Sequence, residues 1–203
     1  MGNKQPNNAE HQEIKMVASD YQTPPYFQNL QVCVIGPPES GKSFLAMRWF
    51  CPDHVFSYCY TPTLEHEHYS ARRRVVGSQT TVKMWDTPGR PRSLDLLPMY
   101  IRDTLIVAIC IRSPHSDSCA EVRRWIEAAR RKMATERVTG SILVIQNRSE
   151  QQSETTDSTR EQSALENLCS ENDCFFLAMD VYRDDIEIFN SKLDEMLSKL
   201  LLN

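Results

Sequence analysis

The segment GPPESGKS, which follows a short apolar run, constrains this chain more than any other feature. Gly36, Gly41, Lys42 and Ser43 match the spacing GxxxxGK[ST], with a strand pattern before them and a helical pattern after them. In such a loop, the backbone N–H groups and the positive end of the following helix attract phosphate. We therefore expect residues 36–43, called the phosphate loop below, to bind a nucleotide. Lys42 is expected to contact its outer phosphates, and the Ser43 hydroxyl to bind Mg²⁺.

Two prolines occupy loop positions where glycine is common. Pro37 and Pro38 have no N–H to donate, but the amides aimed at phosphate come mainly from Glu39 onward, including Ser40 and Gly41. We expect the prolines to stiffen the loop and to crowd the space beside the outermost phosphate. Access by a group from another protein would then be hindered.

Short apolar runs alternate with helical patterns along the rest of the chain. This alternation predicts a parallel α/β sheet whose strands are buried on both faces. One further strand, over 67–76, is expected to pair antiparallel with 79–86 through a turn at Gly77-Ser78. The sequence thus predicts a three-layer α/β fold, with a six-stranded mixed, mostly parallel sheet and helices on both faces. The other predicted strands are 30–35, 104–111, 141–146 and 174–179, and the predicted helices are 43–51, 116–133, 160–169 and 185–202.

Length and composition favour one domain with an arm. The chain has 203 residues, of which 40% are hydrophobic, enough for one core. Residues 1–29 are polar and aperiodic, so we expect a mostly disordered arm before a folded domain at 30–203. A net charge of −4 argues against a nucleic-acid partner. Seven cysteines without CxxC spacing indicate reduced thiols, and no apolar run suits a membrane span or a signal peptide, so a cytoplasmic protein is expected.

A second motif, VKMWDTPGR, ends a predicted strand with an acidic residue. Asp86 at that position can bind Mg²⁺ through water, and Gly89 can bring its N–H to a terminal phosphate. With this motif the chain resembles the Ras superfamily of small GTPases over about residues 30–200. The stretch WDTPGRPRSLDLLPMYIRDTLIVAICI is most similar to the Rab branch.

The resemblance implies a P-loop NTPase fold of the Ras type that binds GTP or GDP with Mg²⁺. The segment VFSYCYTPTLE is similar to switch I, where Thr63 matches the threonine that binds Mg²⁺ and senses the terminal phosphate. Phe56 matches the aromatic residue that packs on the purine, although taken alone it suits a core position. GTP and Mg²⁺ would order loops at 54–65 and 89–100, which would then bind effectors, exchange factors and GAPs.

The base-recognition motif NKxD of the family appears here as Asn147-Arg148-Ser149-Glu150. Glu150 has one methylene more than Asp, and a poor fit would cost on the order of 1–3 kcal/mol of guanine binding. Arg148 can replace the family's lysine by lying beside the base. The SAK loop of the family appears only as 178–180, where the N–H of Met179 is expected to reach the base oxygen.

Arg90 stands where relatives place a glutamine that orients the attacking water. A guanidinium group has donors only, so it cannot accept a hydrogen bond from that water. Intrinsic hydrolysis should then be at or below about 10⁻⁴ s⁻¹. Arg90 is equally compatible with a plain solvated side chain.

Three polar clusters have ordinary interpretations beside functional ones. His66, Glu67 and His68 favour exposed strand polarity over a metal site, because no third ligand is in view. The arginines at 72–74 suit a solvated sheet edge or a docking surface. The basic residues at 123–132 suit a solvated helix face, with membrane contact as the alternative.

The ends of the chain bear on membrane anchoring. The terminal KLLLN lacks the cysteines through which Rab and Ras relatives are prenylated. Gly2 begins a partial myristoylation signal in which Pro6 replaces the expected Ser or Thr. One acyl chain binds membranes only marginally, so we expect weak or partner-mediated association.

Three functions follow in order of preference. The first is a Rab-like guanine-nucleotide switch in vesicle trafficking or signalling that hydrolyses GTP slowly. The second is a pseudo-GTPase scaffold that binds nucleotide without useful hydrolysis, favoured by Arg90 and Glu150. The third is a small P-loop kinase or ATPase, for which the DTPG segment and Thr63 have no purpose.

Overall fold

The computed structural model describes residues 29–51, 61–90, 93–113, 118–148 and 156–202. Residues 1–28 of the predicted arm, Phe56, Glu150 and most of switch I lie outside these residues, whereas Asn29, the last residue assigned to the arm, already belongs to a strand. Strands and helices alternate after the predicted hairpin, and one helix, Ser93–Ile101, was not predicted. The elements of the described residues are β1 (Asn29–Ile35), α1 (Lys42–Phe50), β2 (Glu67–Val75), β3 (Ser78–Asp86), α2 (Ser93–Ile101), β4 (Ile106–Ser113), α3 (Ser118–Glu136), β5 (Ser141–Arg148), α4 (Thr156–Glu171), β6 (Phe175–Met179) and α5 (Glu187–Leu202).

The strands form one sheet in the order β2-β3-β1-β4-β5-β6. β1 pairs parallel with β3 and β4, and β5 pairs parallel with β4 and β6. Of the six strands that the structure describes, only β2 is antiparallel, and it pairs with β3. The predicted six-stranded mixed, mostly parallel sheet is confirmed.

Alternate residues of the strands face two separate cores. On one face, Val32, Val34 and Met84 pack with α1 and α5, whereas on the other face Cys33 and Ile35 pack with α2, α3 and α4. This follows from the period of two along a strand, which sends successive side chains to opposite sides. The helices therefore cover both faces, and the predicted three-layer architecture is confirmed.

The hairpin turn lies one residue earlier than predicted. Val75 pairs with Ser78, so the turn is Val76-Gly77, and both residues have positive φ, 46° and 76°. Two left-handed residues suit the right-handed twist of a hairpin, although Val is an unusual choice there. The N–H of Val76 donates to Asp194 Oδ1 of α5 at 3.0 Å, which holds the turn against the body of the domain.

Two segments predicted as loops are partly helical. The predicted 89–100 loop contains α2, because Leu97, Tyr100 and Ile101 are buried and drive a helix despite Pro98, which removes only one backbone hydrogen bond. The polar run at 149–159 also predicts a surface loop, but α4 already begins within it, at Thr156. Small polar residues are common in the first turn of a helix, because their side chains cap free N–H groups.

Strand β4 begins two residues later than predicted. The N–H of Thr104 donates to Ile101 O at 2.9 Å, and its hydroxyl donates to Tyr100 O at 2.8 Å. Thr104 therefore closes α2 rather than opening the strand. Gln31 also donates to Tyr100 O and Arg102 O, which attaches this end of α2 to β1.

Cysteines 33, 51, 110, 119, 169 and 174 of the described residues are free. Burial raises the pKa of the Cys110 thiol to about 12. In the described part of the chain, no helix combines the length and apolarity that a bilayer crossing requires.

Phe189 should be a main contributor to stability, because it is fully buried and meets Trp49 edge-on at 5.1 Å between ring centroids. We expect Phe189→Ala to lower the free energy of unfolding by about 3–5 kcal/mol in urea denaturation. The neighbouring Ile188, which is 41% exposed, provides the control. Ile188→Ala should change the unfolding free energy by less than about 1 kcal/mol, and equal effects of the two variants would contradict this packing.

Candidate nucleotide-binding site

The phosphate loop connects β1 to α1 at the carboxyl edge of the sheet. Gly36 and Gly41 have φ of 141° and 94°, values that L side chains rarely adopt. A Cβ at Gly36 would lie 2.0 Å from the carbonyl oxygen of Cys110, and one at Gly41 would lie 2.6 Å from Asn147 Nδ2. Glycine is therefore required at both positions. α1 begins directly after Gly41, so its free N–H groups face the loop.

The carbonyl of Pro37 holds the polar side chains of the loop. It accepts a hydrogen bond from Lys42 Nζ at 2.7 Å and another from Ser40 Oγ at 2.9 Å. Lys42 is only 5% exposed, and burial lowers the pKa of its ammonium, an effect opposed by Cys110 and Asp86 nearby. The side chain of Lys42, predicted to contact phosphate, therefore lies against the backbone of the phosphate loop.

The two prolines lie directly against the start of the second phosphate-side segment. A Cβ at Gly89 would lie 2.4 Å from the nitrogen of Pro38 and 2.8 Å from the carbonyl carbon of Pro37. Only glycine fits there. Arg90 follows and is exposed. The narrow gap agrees with the expected crowding, while its effect on an outside group stays a prediction.

Three oxygen-bearing side chains lie near Lys42 where a metal ion was predicted. Ser43 Oγ and Thr63 Oγ1 are 2.7 Å apart, although Thr63 comes from the segment before β2. Asp86 ends β3 and is fully buried. Thr87 donates its hydroxyl to Val34 O at 2.8 Å, which fixes the end of β3 against β1.

Asp86 has an unusual electrostatic environment. Among the described residues, no donor has both the distance and the angle of a hydrogen bond to either carboxylate oxygen of Asp86. Burial raises the pKa of this carboxyl to about 6, while the Ser43 hydroxyl and the Lys42 ammonium oppose the rise. A buried carboxylate without hydrogen bonds, beside the hydroxyls of Ser43 and Thr63, suits a hard divalent cation such as Mg²⁺, which prefers oxygen ligands.

Asn147 joins the predicted base side to the phosphate loop. Its Nδ2 donates to Ser40 O at 3.2 Å, and its Oδ1 accepts from the N–H of Val181 at 3.1 Å. Met179 ends β6 opposite Asn147, and its side chain is buried. The predicted contact between its N–H and a base stays a prediction.

Arg148 lies close to an acidic residue that the sequence did not single out. Its Nη2 is 3.6 Å from Asp184 Oδ2, and 48% of its side chain is exposed. The same carboxylate accepts from the N–H of Asp180 at 2.8 Å. The predicted placement of Arg148 beside a base would therefore compete with its ion pair to Asp184.

Sequence reasoning missed two aromatic residues near the site, Phe44 and Tyr182. Their ring centroids are 4.3 Å apart. The position of Phe44 directly after Ser43 was a usable signal. The position of Tyr182 was not, because it depends on the turn after β6.

His66, Glu67 and His68 are exposed at the start of β2, as expected. The ring centroid of His66 is 4.6 Å from that of Tyr100, and the ring centroid of His68 is 4.6 Å from that of Trp85. His66 Nδ1 is 2.7 Å from the hydroxyl oxygen of Tyr100. Within the described ranges, no group of three His, Cys, Asp or Glu suits a metal ion.

Arg73 departs from the expected solvated edge, whereas its neighbours Arg72 and Arg74 are exposed. Its Nη2 donates to the carbonyl of Trp49 at 2.7 Å, and its guanidinium lies over the ring of Phe50. Because β2 residues alternate between faces, only Arg73 of the three points toward α1.

Asp86→Asn should stabilise the metal-free protein at neutral pH. The folded-state pKa of Asp86 lies above the ordinary value of 3.8, so the native state binds more protons and loses stability as pH rises from about 4 to about 6. We expect the variant to gain on the order of 1–3 kcal/mol at about pH 7 and little at about pH 4. Urea unfolding of wild type and Asp86→Asn, without nucleotide and in the presence of a chelator, measures the difference in unfolding free energy at each pH. A difference independent of pH would contradict the burial of a charged Asp86.

Comparison with known proteins agrees with this geometry. A family model described as the Ras family matches residues 31–189. The human Rho-related GTP-binding protein RhoD is 30% identical over 101 residues, which are 49% of this chain and 47% of RhoD. The mouse Ras-related protein Rab-21 is 25% identical over 108 residues, 53% of this chain and 48% of Rab-21. The human Ras-related protein Rab-31 is 28% identical over 100 residues, 49% of this chain and 50% of Rab-31.

The chain spans about half the length of these curated relatives. The family model, in contrast, extends from β1 into α5 and includes the phosphate loop, Asp86 and Asn147. The resemblance to the Ras superfamily is therefore confirmed, and the chain belongs to the Ras family as a divergent small GTPase.

Proposed function

We propose that this chain is a guanine-nucleotide switch of the Rab/Ras type that binds GTP or GDP with Mg²⁺ and hydrolyses GTP slowly. The observation that carries the proposal is the grouping of Asp86, Ser43 and Thr63 beside the loop that holds Lys42. A triphosphate needs a cation to neutralise its charge, and this grouping suits one. The description of RhoD as GTP-binding supports the choice of ligand.

The residues around the phosphates have separate tasks in this proposal. Lys42 and the N–H groups at the start of α1 neutralise phosphate charge. Ser43 and Thr63 would hold Mg²⁺ through their hydroxyls, and Asp86 would hold it through water. The ion, when bound, withdraws charge from the phosphate oxygens. Thr63 and the N–H of Gly89 respond to the outermost phosphate, so its loss releases both segments.

Slow turnover is proposed from the chemistry of Arg90. Its guanidinium is exposed and can only donate, so it cannot accept a hydrogen bond from an attacking water. Gly89 packs closely on Pro38, and we expect this contact to hinder an arginine supplied by a partner. We therefore propose intrinsic hydrolysis at about 10⁻⁴ s⁻¹ or below.

The segments that flank the phosphates offer a surface to partners. Leu64 is 69% exposed beside Thr63, and Met99 is 70% exposed on α2. Effectors, exchange factors and GAPs would contact these parts of 54–65 and 89–100. We propose a role in vesicle trafficking or signalling, in the cytoplasm or peripherally at an endomembrane, with acylation of Gly2 as one means of attachment.

The second candidate function is a pseudo-GTPase scaffold. It is favoured by the close packing of Gly89 on Pro37 and Pro38, which we expect to crowd a terminal phosphate, and by the pairing of Arg148 with Asp184. Such a protein would retain one nucleotide and present the same surface permanently.

The nucleotide itself separates these functions. We expect guanine nucleotide to co-purify with the full chain, and GTP to bind in a Mg²⁺-dependent manner at micromolar or lower Kd, followed by slow cleavage in single-turnover assays. Tight binding without detectable cleavage or exchange would favour the scaffold. Preference for ATP over GTP and xanthosine triphosphate would indicate a P-loop kinase or ATPase, and no nucleotide binding would overturn the proposal.

Arg90→Gln should accelerate GTP cleavage by about tenfold or more, because glutamine can both accept from and donate to a water. Single-turnover hydrolysis of bound GTP measures the rate. Arg72→Gln, at an exposed position of β2, is the control and should leave the rate unchanged. An unchanged rate in Arg90→Gln would show that this residue does not limit hydrolysis.

A further inference from the structure

An aromatic pair joins the phosphate side of the site to its base side. Phe44 follows Ser43 in the first turn of α1, and Tyr182 lies in the β6–α5 turn, residues 180–186. The two ring centroids are 4.3 Å apart, with ring planes inclined at 52°. The pair therefore lies between the start of the helix that receives phosphate and the turn bonded to Asn147.

The backbone around Tyr182 is held from several directions. Val181 donates its N–H to Asn147 Oδ1 at 3.1 Å, and its carbonyl accepts from Arg48 Nη1 of α1 at 2.8 Å. The N–H of Tyr182 donates to Asp180 Oδ1 at 2.8 Å. The backbone that carries the Tyr182 ring is consequently held before any ligand arrives, which limits the entropy lost on binding.

Tyr182 also lies close to the charged rim of the phosphate loop. Burial raises the pKa of its hydroxyl, Arg112 opposes the rise, and Asp180 and Glu39 add to it. Arg112 and Glu39 form an ion pair at 3.7 Å. Tyr182 is nevertheless 36% exposed, so part of the ring remains accessible.

We propose that Phe44 and Tyr182 form a platform on which the purine base of the bound nucleotide stacks. This inference rests on the proposed nucleotide binding. If the phosphates bind at the start of α1 and the base lies on the side of Asn147, the base would lie against the rings of Phe44 and Tyr182. Inclined rings offer such a base one face contact and one edge contact.

Stacking changes what the site selects. Every base has a π-face, so stacking adds affinity without reading the hydrogen-bonding edge. The platform would maintain purine affinity where the NKxD motif is altered, but it would not favour guanine over adenine. We therefore assign to Phe44 and Tyr182 an affinity for purines in general.

The test compares ligands with and without a base on the full chain. GDP, ADP and pyrophosphate, each with Mg²⁺, are titrated calorimetrically into wild type, Tyr182→Ala, Tyr182→Leu and Tyr182→Phe. Loss of the ring should weaken GDP and ADP by similar factors, about five- to a hundredfold. Tyr182→Phe should stay within about twofold of wild type. Pyrophosphate affinity should be unchanged in all variants.

Other results would overturn the platform. Unchanged or increased GDP affinity in Tyr182→Ala, or in Tyr182→Leu should the alanine variant not fold, would mean that the ring does not stack on the base or that it blocks the site. An equal loss of pyrophosphate affinity would mean that the ring only supports the fold. Wild type that binds none of the three ligands would overturn the proposed function and the platform together, whereas normal GDP binding by the ring-deleted variants overturns the platform alone.

Discussion

The candidate site depends on the two hydrogen bonds of one buried amide. Asn147 donates to the carbonyl of Ser40 and accepts from the N–H of Val181, so it connects β5 to the phosphate loop and to the turn after β6. Its Nδ2 also lies where a side chain at Gly41 would have to fit. An apolar residue at this position could make neither bond, and both partner groups would remain buried without hydrogen bonds.

The sheet was predictable from sequence because its central strands are buried on both faces. Such strands appear as continuous apolar runs, and the loop spacing between Gly36 and Ser43 fixed where the first strand ends. α2 was not predictable in the same way. Its buried residues, Leu97, Tyr100 and Ile101, occupy a short helix that contains Pro98, so its pattern resembles that of a loop.

Within the site, two residues that lie 20 apart in sequence were linked through the resemblance to a known family. Thr63 and Ser43 were expected to share a metal ion, and their hydroxyl oxygens lie 2.7 Å apart, while the ion itself stays a prediction. Contacts that belong to no motif were less accessible, because they depend on how loops fold. Arg73 was expected on a solvated edge, yet it donates to Trp49 O. The alternation of β2 places it on the same face as Tyr69, Ala71 and Val75, which is a signal that the sequence contains.

The contact between Gly89 and the proline pair determines how this end of the site can open. Proline fixes its own φ, so the wall formed by Pro37 and Pro38 cannot move by rotation about that angle. A larger ligand would therefore displace the opposite wall, the segment after Asp86, more easily than the prolines. Such a widening is one-sided, and it moves the residues around Gly89 and Arg90.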